Sequence, residues 1–216
     1  MPVTPHAFVA KWQQTTLKER AAVQEHFLDL CRLVNHPTPA EDDPTGERFT
    51  FEAGASKSAG GQGFADVWKR GYFAWEYKGK HANLDAAYQQ LLQYRESLHN
   101  PPLLIVSDID RIVVRPNFVN RVNRPVTITL EALLTPEGMR ALRAIFYEPD
   151  YFRSEQTTEQ VTRDAAGEFA RLALYLQERG AAPDGVAHFL IRLLFCLFAE
   201  DIELLPKGLF TRLVER

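Results

Sequence analysis

Two apolar runs, residues 64–68 (Phe-Ala-Asp-Val-Trp) and 72–78 (Tyr-Phe-Ala-Trp-Glu-Tyr-Lys), stand on either side of Lys69-Arg70-Gly71. Aromatic and β-branched segments of this length, separated by a short Gly-containing turn, read as a β-hairpin. Charges intrude on it at Asp66, Glu76 and Lys78. Side chains two apart on a strand share a face, so Glu76 and Lys78 point one way and Tyr77 the other. A three-residue loop at 69–71 pairs Trp68 with Tyr72 and Asp66 with Ala74. Asp66 then lies diagonal to Glu76 on the same face, at roughly 7–8 Å, within reach of one shared ion. A two-residue loop would put the two acids on opposite faces.

The neighbours of these charges are apolar (Phe64, Val67, Phe73, Ala74, Trp75), so unpaired carboxylates there would be costly. A bound divalent ion would offset that cost. Phosphodiester hydrolysis calls for this residue set: carboxylates hold Mg²⁺, and a lysine orients or deprotonates the attacking water. A surface hairpin ending in a solvated Glu–Lys pair is the structural alternative. The upstream acid, the apolar hairpin and the helix that follows favour the site.

That helix is expected over about 84–98, capped by Asn83 and ended by Asn100-Pro-Pro. Gln90 and Tyr94 are four apart on it and share a face. A helix packed beside the hairpin could aim both at the metal site or at a phosphate; an ordinary amphipathic helix would also carry them. Upstream, Thr16 and Glu19 resemble a capping box that opens a helix over about 17–34, with Ala22, Val23, Phe27, Leu30 and Val34 at helical spacing. Glu19 is either that cap or an early-helix acid reaching the metal; Glu25 and Glu52 are weaker candidates. The histidines are scattered and expected at the surface.

Elsewhere, residues 5–14 suit a short helix, 36–46 a Pro-broken loop, 48–53 a strand, and Gly54 to Gly63 a mobile loop. Strands are expected at 103–107 and 111–115, an edge strand at 126–130, and a helix at 136–146. After about 155 strand signals stop, and long helices are expected over 157–180 and 184–204. The order of helix, three strands, helix and further strands makes an α/β core followed by a helical appendage.

At 216 residues and 45% hydrophobic, the chain suits one compact domain plus part of a second. Cys31 and Cys196 lie in apolar helical patterns and read as core thiols in a reducing compartment. No His/Cys cluster has zinc spacing, and the N-terminus has no signal-peptide pattern. The apolar run 189–199 falls short of the ~20 residues a bilayer needs and is interrupted by Arg192, so a buried helix is expected. The net charge of −3 argues against a stand-alone, high-affinity DNA binder. Two local basic stretches, Lys69, Arg70, Lys78, Lys80 and His81, then Arg111, Arg115, Arg121 and Arg124, could still form a cleft.

Asp66…Glu76-Tyr-Lys78 resembles the PD-(D/E)xK nuclease motif, with Phe-Ala before Asp66 where some members have Pro. Gln90…Tyr94 is similar to the helix motif of its RecB-like branch. Gly63-Phe-Ala-Asp-Val, Leu84-Asp-Ala-Ala-Tyr-Gln-Gln-Leu-Leu-Gln-Tyr94 and Ile191-Arg-Leu-Leu-Phe-Cys-Leu-Phe-Ala-Glu-Asp201 look like the N-terminal region of MmeI-type type IIL restriction–modification enzymes and large DNA adenine methyltransferases. The resemblance implies a restriction-endonuclease-like nuclease over 1–155 and the start of a helical connector over 156–216. It implies Asp66, Glu76 and the Tyr77 carbonyl as Mg²⁺ ligands, with Mn²⁺ as a substitute. Lys78, Gln90, Tyr94 and Glu19 complete the implied catalytic set. Its implied partners are double-stranded DNA, a methyltransferase and a target-recognition domain elsewhere in a parent chain, and a transient dimer on DNA. No membrane is implied; the place is the cytoplasm of a bacterium or archaeon. AdoMet would belong to the methyltransferase, for which this chain has neither the Gly-rich loop nor the Asn-Pro-Pro-Tyr motif. The alternative function is a nuclease-inactive scaffold of an AdoMet-dependent adenine methyltransferase.

Overall fold

The computed structural model describes residues 3–15, 19–56, 62–80, 82–202, 204–206 and 208–214. They form two compact units, 1–155 and 156–216. The first unit is mixed α/β. Helices α1 (Pro5–Gln13) and α2 (Glu19–Val34) and the short α3 (Pro39–Asp42) lead into strands β1 (Phe49–Ser56), β2 (Gln62–Lys69) and β3 (Phe73–Tyr77). Helix α4 (Leu84–Tyr94) connects to β4 (Leu103–Ser107), followed by β5 (Arg111–Pro116), β6 (Val126–Thr129) and α5 (Pro136–Tyr147). The six strands form one sheet in sequence order. Only the β3–β4 pair is parallel, because a parallel step needs a crossover and α4 supplies it.

The sheet buries both faces. Phe49, Val67, Phe73, Trp75, Tyr77, Ile105 and Val114 pack with apolar residues of α1, α2 and α5. Phe27 of α2 sits among them, its ring 5.5 Å from Trp75 and 5.8 Å from Phe146. On the other face Trp68, Ala74, Leu104 and Val106 pack under Leu84, Ala87, Leu91 and Tyr94 of α4. Asn83 caps α4: its side-chain oxygen accepts from the N–H groups of Asp85 and Ala86. Asp85 then stands in the first turn, where a carboxylate suits the helix dipole.

Several boundaries differ from the sequence reading. The small-residue stretch after Ala53 is strand through Ser56, and β2 starts at Gln62, because Gly54↔Phe64 and Ser56↔Gln62 extend the ladder. The hairpin loop is 70–72 rather than 69–71: Lys69 pairs with Phe73 and Trp68 with Ala74. Gly71 takes the left-handed position at φ +78°, and Lys69 stays in the strand with its ammonium 4.3 Å over the Tyr72 ring. Helix α4 stops at Tyr94, four residues early; turns follow over 95–99, and His99 and Asn100 are left-handed ahead of Pro101. Thr16, the proposed cap of α2, lies outside the described residues.

The second unit holds α6 (Thr158–Glu178), α7 (Pro183–Asp201) and α8 (Leu209–Val214). The apolar run in α7 is not the buried helix expected: Val186 and Ala199 are its buried residues, while Phe189, Ile191, Leu194, Phe195 and Phe198 are at least half exposed. Cys31 is buried but Cys196 is only half-buried. No described helix is long and apolar enough to cross a membrane.

Candidate functional site

The sheet is broken where the motif begins. The β1–β2 ladder steps from Phe51↔Val67 to Ala53↔Ala65 with no pair at Glu52 and Asp66 between them. Glu52 has φ +51°, a left-handed conformation that costs a residue bearing Cβ about 1–2 kcal/mol. The break re-aims the strands: Val67 packs in the α2-side core, while Ala53 and Ala65 pack in the α4-side core. The β2–β3 ladder also ends there, at Val67↔Trp75. Continued by one step it would set Asp66 straight across from Glu76, two positions from the expected pairing but with the same parity. In its place the Tyr77 N–H donates to Asp66 Oδ2 at 2.6 Å. A carboxylate thus replaces a ladder carbonyl at the end of the hairpin.

Glu76 is 4% exposed. Its Oε1 accepts from Lys78 Nζ at 2.8 Å and its Oε2 from the Tyr94 hydroxyl at 3.1 Å. Burial pushes its pKa above the usual carboxylate value, the Lys78 bond pulls it back, and the Asp66 charge adds to the rise. Tyr94 is shifted upward, chiefly by burial and then by the Glu76 charge, so its hydroxyl stays a donor. Asp66 and Lys78 are half-buried and keep access to solvent. Two acids, a lysine and a tyrosine from two strands and one helix therefore meet at one end of the β2–β3 pair.

The other expected residues divide. Gln90 is half-buried one turn before Tyr94, on the α4 face that carries Ala87, Leu91 and Tyr94 toward the sheet. Tyr77 turns its ring to the opposite core, stacked on Trp75 at 5.6 Å, which leaves its backbone beside the acids. Glu19 opens α2, but its side chain lies outside the described residues. Glu25 is bound to Lys11 on the surface. The basic stretches are largely committed within the fold: Arg111 to Asp108, Arg115 to Asp85 and the Tyr88 ring, Lys80 to Asp110, and Arg121 to the carbonyls of Ser154 and Glu155. Lys69 faces away from the acids, toward His36, Phe49 and Tyr72. His81 lies outside the described residues.

Two histidines expected at the surface, His26 and His36, are buried. His26 lies on the apolar face of α2, three after Val23 and four before Leu30. Its Nδ1 is 2.9 Å from the Tyr77 hydroxyl. The spacing was the one available signal for it.

The donor chemistry fits Mg²⁺ or Mn²⁺. Among the described residues no three His, Cys, Asp or Glu side chains gather closely enough to hold a metal alone. Mg²⁺ is commonly held by one or two carboxylates, with waters and substrate oxygens completing its shell. Asp66 and Glu76 supply two hard oxygen donors, and a cation would relieve the buried charge of Glu76.

The fold and this cluster define a mixed α/β domain whose chemistry is that of paired carboxylates and a lysine. Residues 3–179 match the family model for the MmeI N-terminal domain, and residues 184–216 match that for the MmeI helicase spacer domain. The chain belongs to the MmeI family. The two family models divide between α6 and α7, so α6 falls on the N-terminal side of that division and on the C-terminal side of the division into compact units. Among solved structures the chain is similar to the DrdV–DNA complex, at 19% identity and a TM-score of 0.40, covering 82% of this chain and 16% of that one. No curated protein matches it.

Proposed function

We propose that residues 1–155 form a Mg²⁺-dependent DNA endonuclease with a restriction-endonuclease-like core, within a restriction–modification or phage-defence protein. The observation that carries the reading is the junction of Asp66, Glu76 and Lys78 at the broken end of the β2–β3 pair, with Lys78 Nζ 2.8 Å from Glu76. Membership in the MmeI family supports it. Asp66 and Glu76 would hold the cation together with the Tyr77 carbonyl. When bound, Mg²⁺ supplies charge neutralisation at the scissile phosphate. Lys78, as the ammonium paired with Glu76, would orient the attacking water, and could deprotonate it only after giving up its own proton. Tyr94 holds Glu76 through Oε2, and Gln90 supports the same wall or a phosphate oxygen. Target choice is assigned to a methyltransferase and recognition domain elsewhere in the parent chain, because Arg111, Arg115 and Arg121 of the second basic stretch are engaged within the fold. AdoMet would bind there, and a transient dimer on DNA would supply the second cut.

The test is nicking of supercoiled plasmid by the parent protein in Mg²⁺ or Mn²⁺, beside Asp66→Ala, Glu76→Ala and Lys78→Ala. Cleavage lost in all three, with folding intact, supports the nuclease. Retained cleavage in Glu76→Ala removes the assignment. Methylation without cleavage by the unaltered parent would make this unit a scaffold.

A further inference from the structure

Tyr77 is held from both sides of the sheet. Its backbone N–H donates to Asp66 at 2.6 Å, and its hydroxyl lies 2.9 Å from His26 Nδ1. Its chain neighbours are Glu76 and Lys78. A single residue thus ties α2 to all three charged groups of the site.

His26 is an unusual occupant of its position. The ring is fully buried, with centroids 5.4 Å from Phe8, 4.8 Å from Trp12 and 5.6 Å from Tyr77. Its Nε2 is buried with no hydrogen-bond partner. An unpaired polar atom in a core destabilises the fold, and an apolar ring would fill the space without that cost. What imidazole adds over such a ring is the bond to Tyr77. The Trp75 ring, nearly parallel to Tyr77 at 12°, already limits the tilt of the tyrosine. The bond to His26 fixes where along that stack its hydroxyl rests. Cation sites need their ligands placed to about 0.5 Å, and groups behind the ligands set that placement.

We propose that His26 is a positioning residue for the carboxylate–lysine site: through Tyr77 it sets the placement of Asp66 and Glu76, and so the affinity for a divalent cation. This rests on the metal-dependent reading of the site.

The test is Mn²⁺ binding to the full-length protein without DNA, followed by electron paramagnetic resonance of the free ion, below the unfolding range of every variant. The variants are Tyr77→Phe, His26→Phe, their double, His26→Gln, and Glu76→Ala as control. Tyr77→Phe and His26→Phe are each expected to weaken binding about tenfold. The double should be no weaker than the worse single, because both remove one bond. His26→Gln, which can still bond the hydroxyl, should restore most of the affinity. Binding within about twofold of wild type in both single variants, whatever their thermal stability, overturns the proposal, as do effects that multiply in the double. If His26→Phe does not fold, Tyr77→Phe decides, since it keeps the ring and its stack on Trp75. Wild-type protein that binds no Mn²⁺, or Glu76→Ala that binds as well as wild type, overturns the metal reading and this proposal with it.

Discussion

Acid should destabilise the first unit through His26. Burial pushes this imidazole down to about 3 from an ordinary value of 6.5, with Lys11 adding to the fall and Asp29 opposing it. A depressed folded-state pKa gives stability that is complete above 6.5 and is lost as pH falls toward 3, because the unfolded chain takes the proton first. Each tenfold rise in proton concentration over that window costs about 1.4 kcal/mol. Between pH 7 and 4.5 the His26 contribution to the loss is therefore about 2.5 kcal/mol, a large share of the 5–15 kcal/mol that typically holds a domain together. Tryptophan fluorescence reports the unit in isolation, since Trp12, Trp68 and Trp75 all lie in it. Urea titrations of wild type and His26→Leu at the two pH values isolate the effect. The unbonded Tyr77 hydroxyl in the variant costs the same at both, and Glu76 titrates in both proteins. Wild type should lose about 2.5 kcal/mol more than the variant on acidification. Equal losses would mean that His26 is not held neutral by burial, and the reasoning would fail.

Glu52→Gly should raise stability by about 1 kcal/mol in the same urea assay, because glycine adopts φ +51° without strain; a loss would mean that the Glu52 side chain makes a contact worth more than the strain. Phe27→Ala should cost about 3–5 kcal/mol, since its ring sits within about 6 Å of Phe49, Phe51, Trp75 and Phe146. For Tyr94→Phe the expected loss is about 1 kcal/mol in stability, with plasmid nicking slowed by about tenfold or more as Glu76 loses the hydroxyl bond at Oε2. Glu76→Gln, which removes a desolvated charge whose pKa burial has raised, should leave stability at neutral pH unchanged or slightly higher, while nicking disappears.

The hairpin was legible because its signal is local. Period-two alternation puts Glu76 and Lys78 on one face whatever the register, and any three-residue loop preserves the parity that brings Asp66 to the same side. Which three residues turn was not legible, since Lys69 can end the strand or cap the loop, and its packing over Tyr72 decides. The strand at Gly54-Ala-Ser56 was hidden because small residues advertise a loop, and only the partner strand at 62–64 extends it. Nothing local marks the left-handed turn at Glu52, as a glycine or asparagine would have done. The exposure of α7 was hidden for another reason: an apolar run has the same sequence pattern whether or not neighbours cover it. His26 sat in plain view on the apolar face of α2, but a lone histidine there says nothing of Tyr77, fifty-one residues on.

Three departures from local good sense gather around one residue. Glu52 strains its backbone where the β1–β2 ladder breaks, Glu76 buries a carboxylate, and His26 leaves a ring nitrogen unpaired in a core. Each lowers stability, as do the left-handed Ile109 at φ +73° and the buried, unpaired Nε of Arg115 elsewhere in the unit. The three are linked through hydrogen bonds and register: Glu52 stands beside Asp66 across the broken ladder, Asp66 takes the Tyr77 N–H, and Tyr77 joins Glu76 by a peptide bond and His26 by its hydroxyl. Conflicts linked to one another through Tyr77 in this way are what the proposed site would leave behind. On this argument the break in the sheet is part of the site: with an unbroken ladder the Tyr77 N–H would serve a backbone carbonyl, and Asp66 would lose the bond that now turns its carboxylate toward the end of β3.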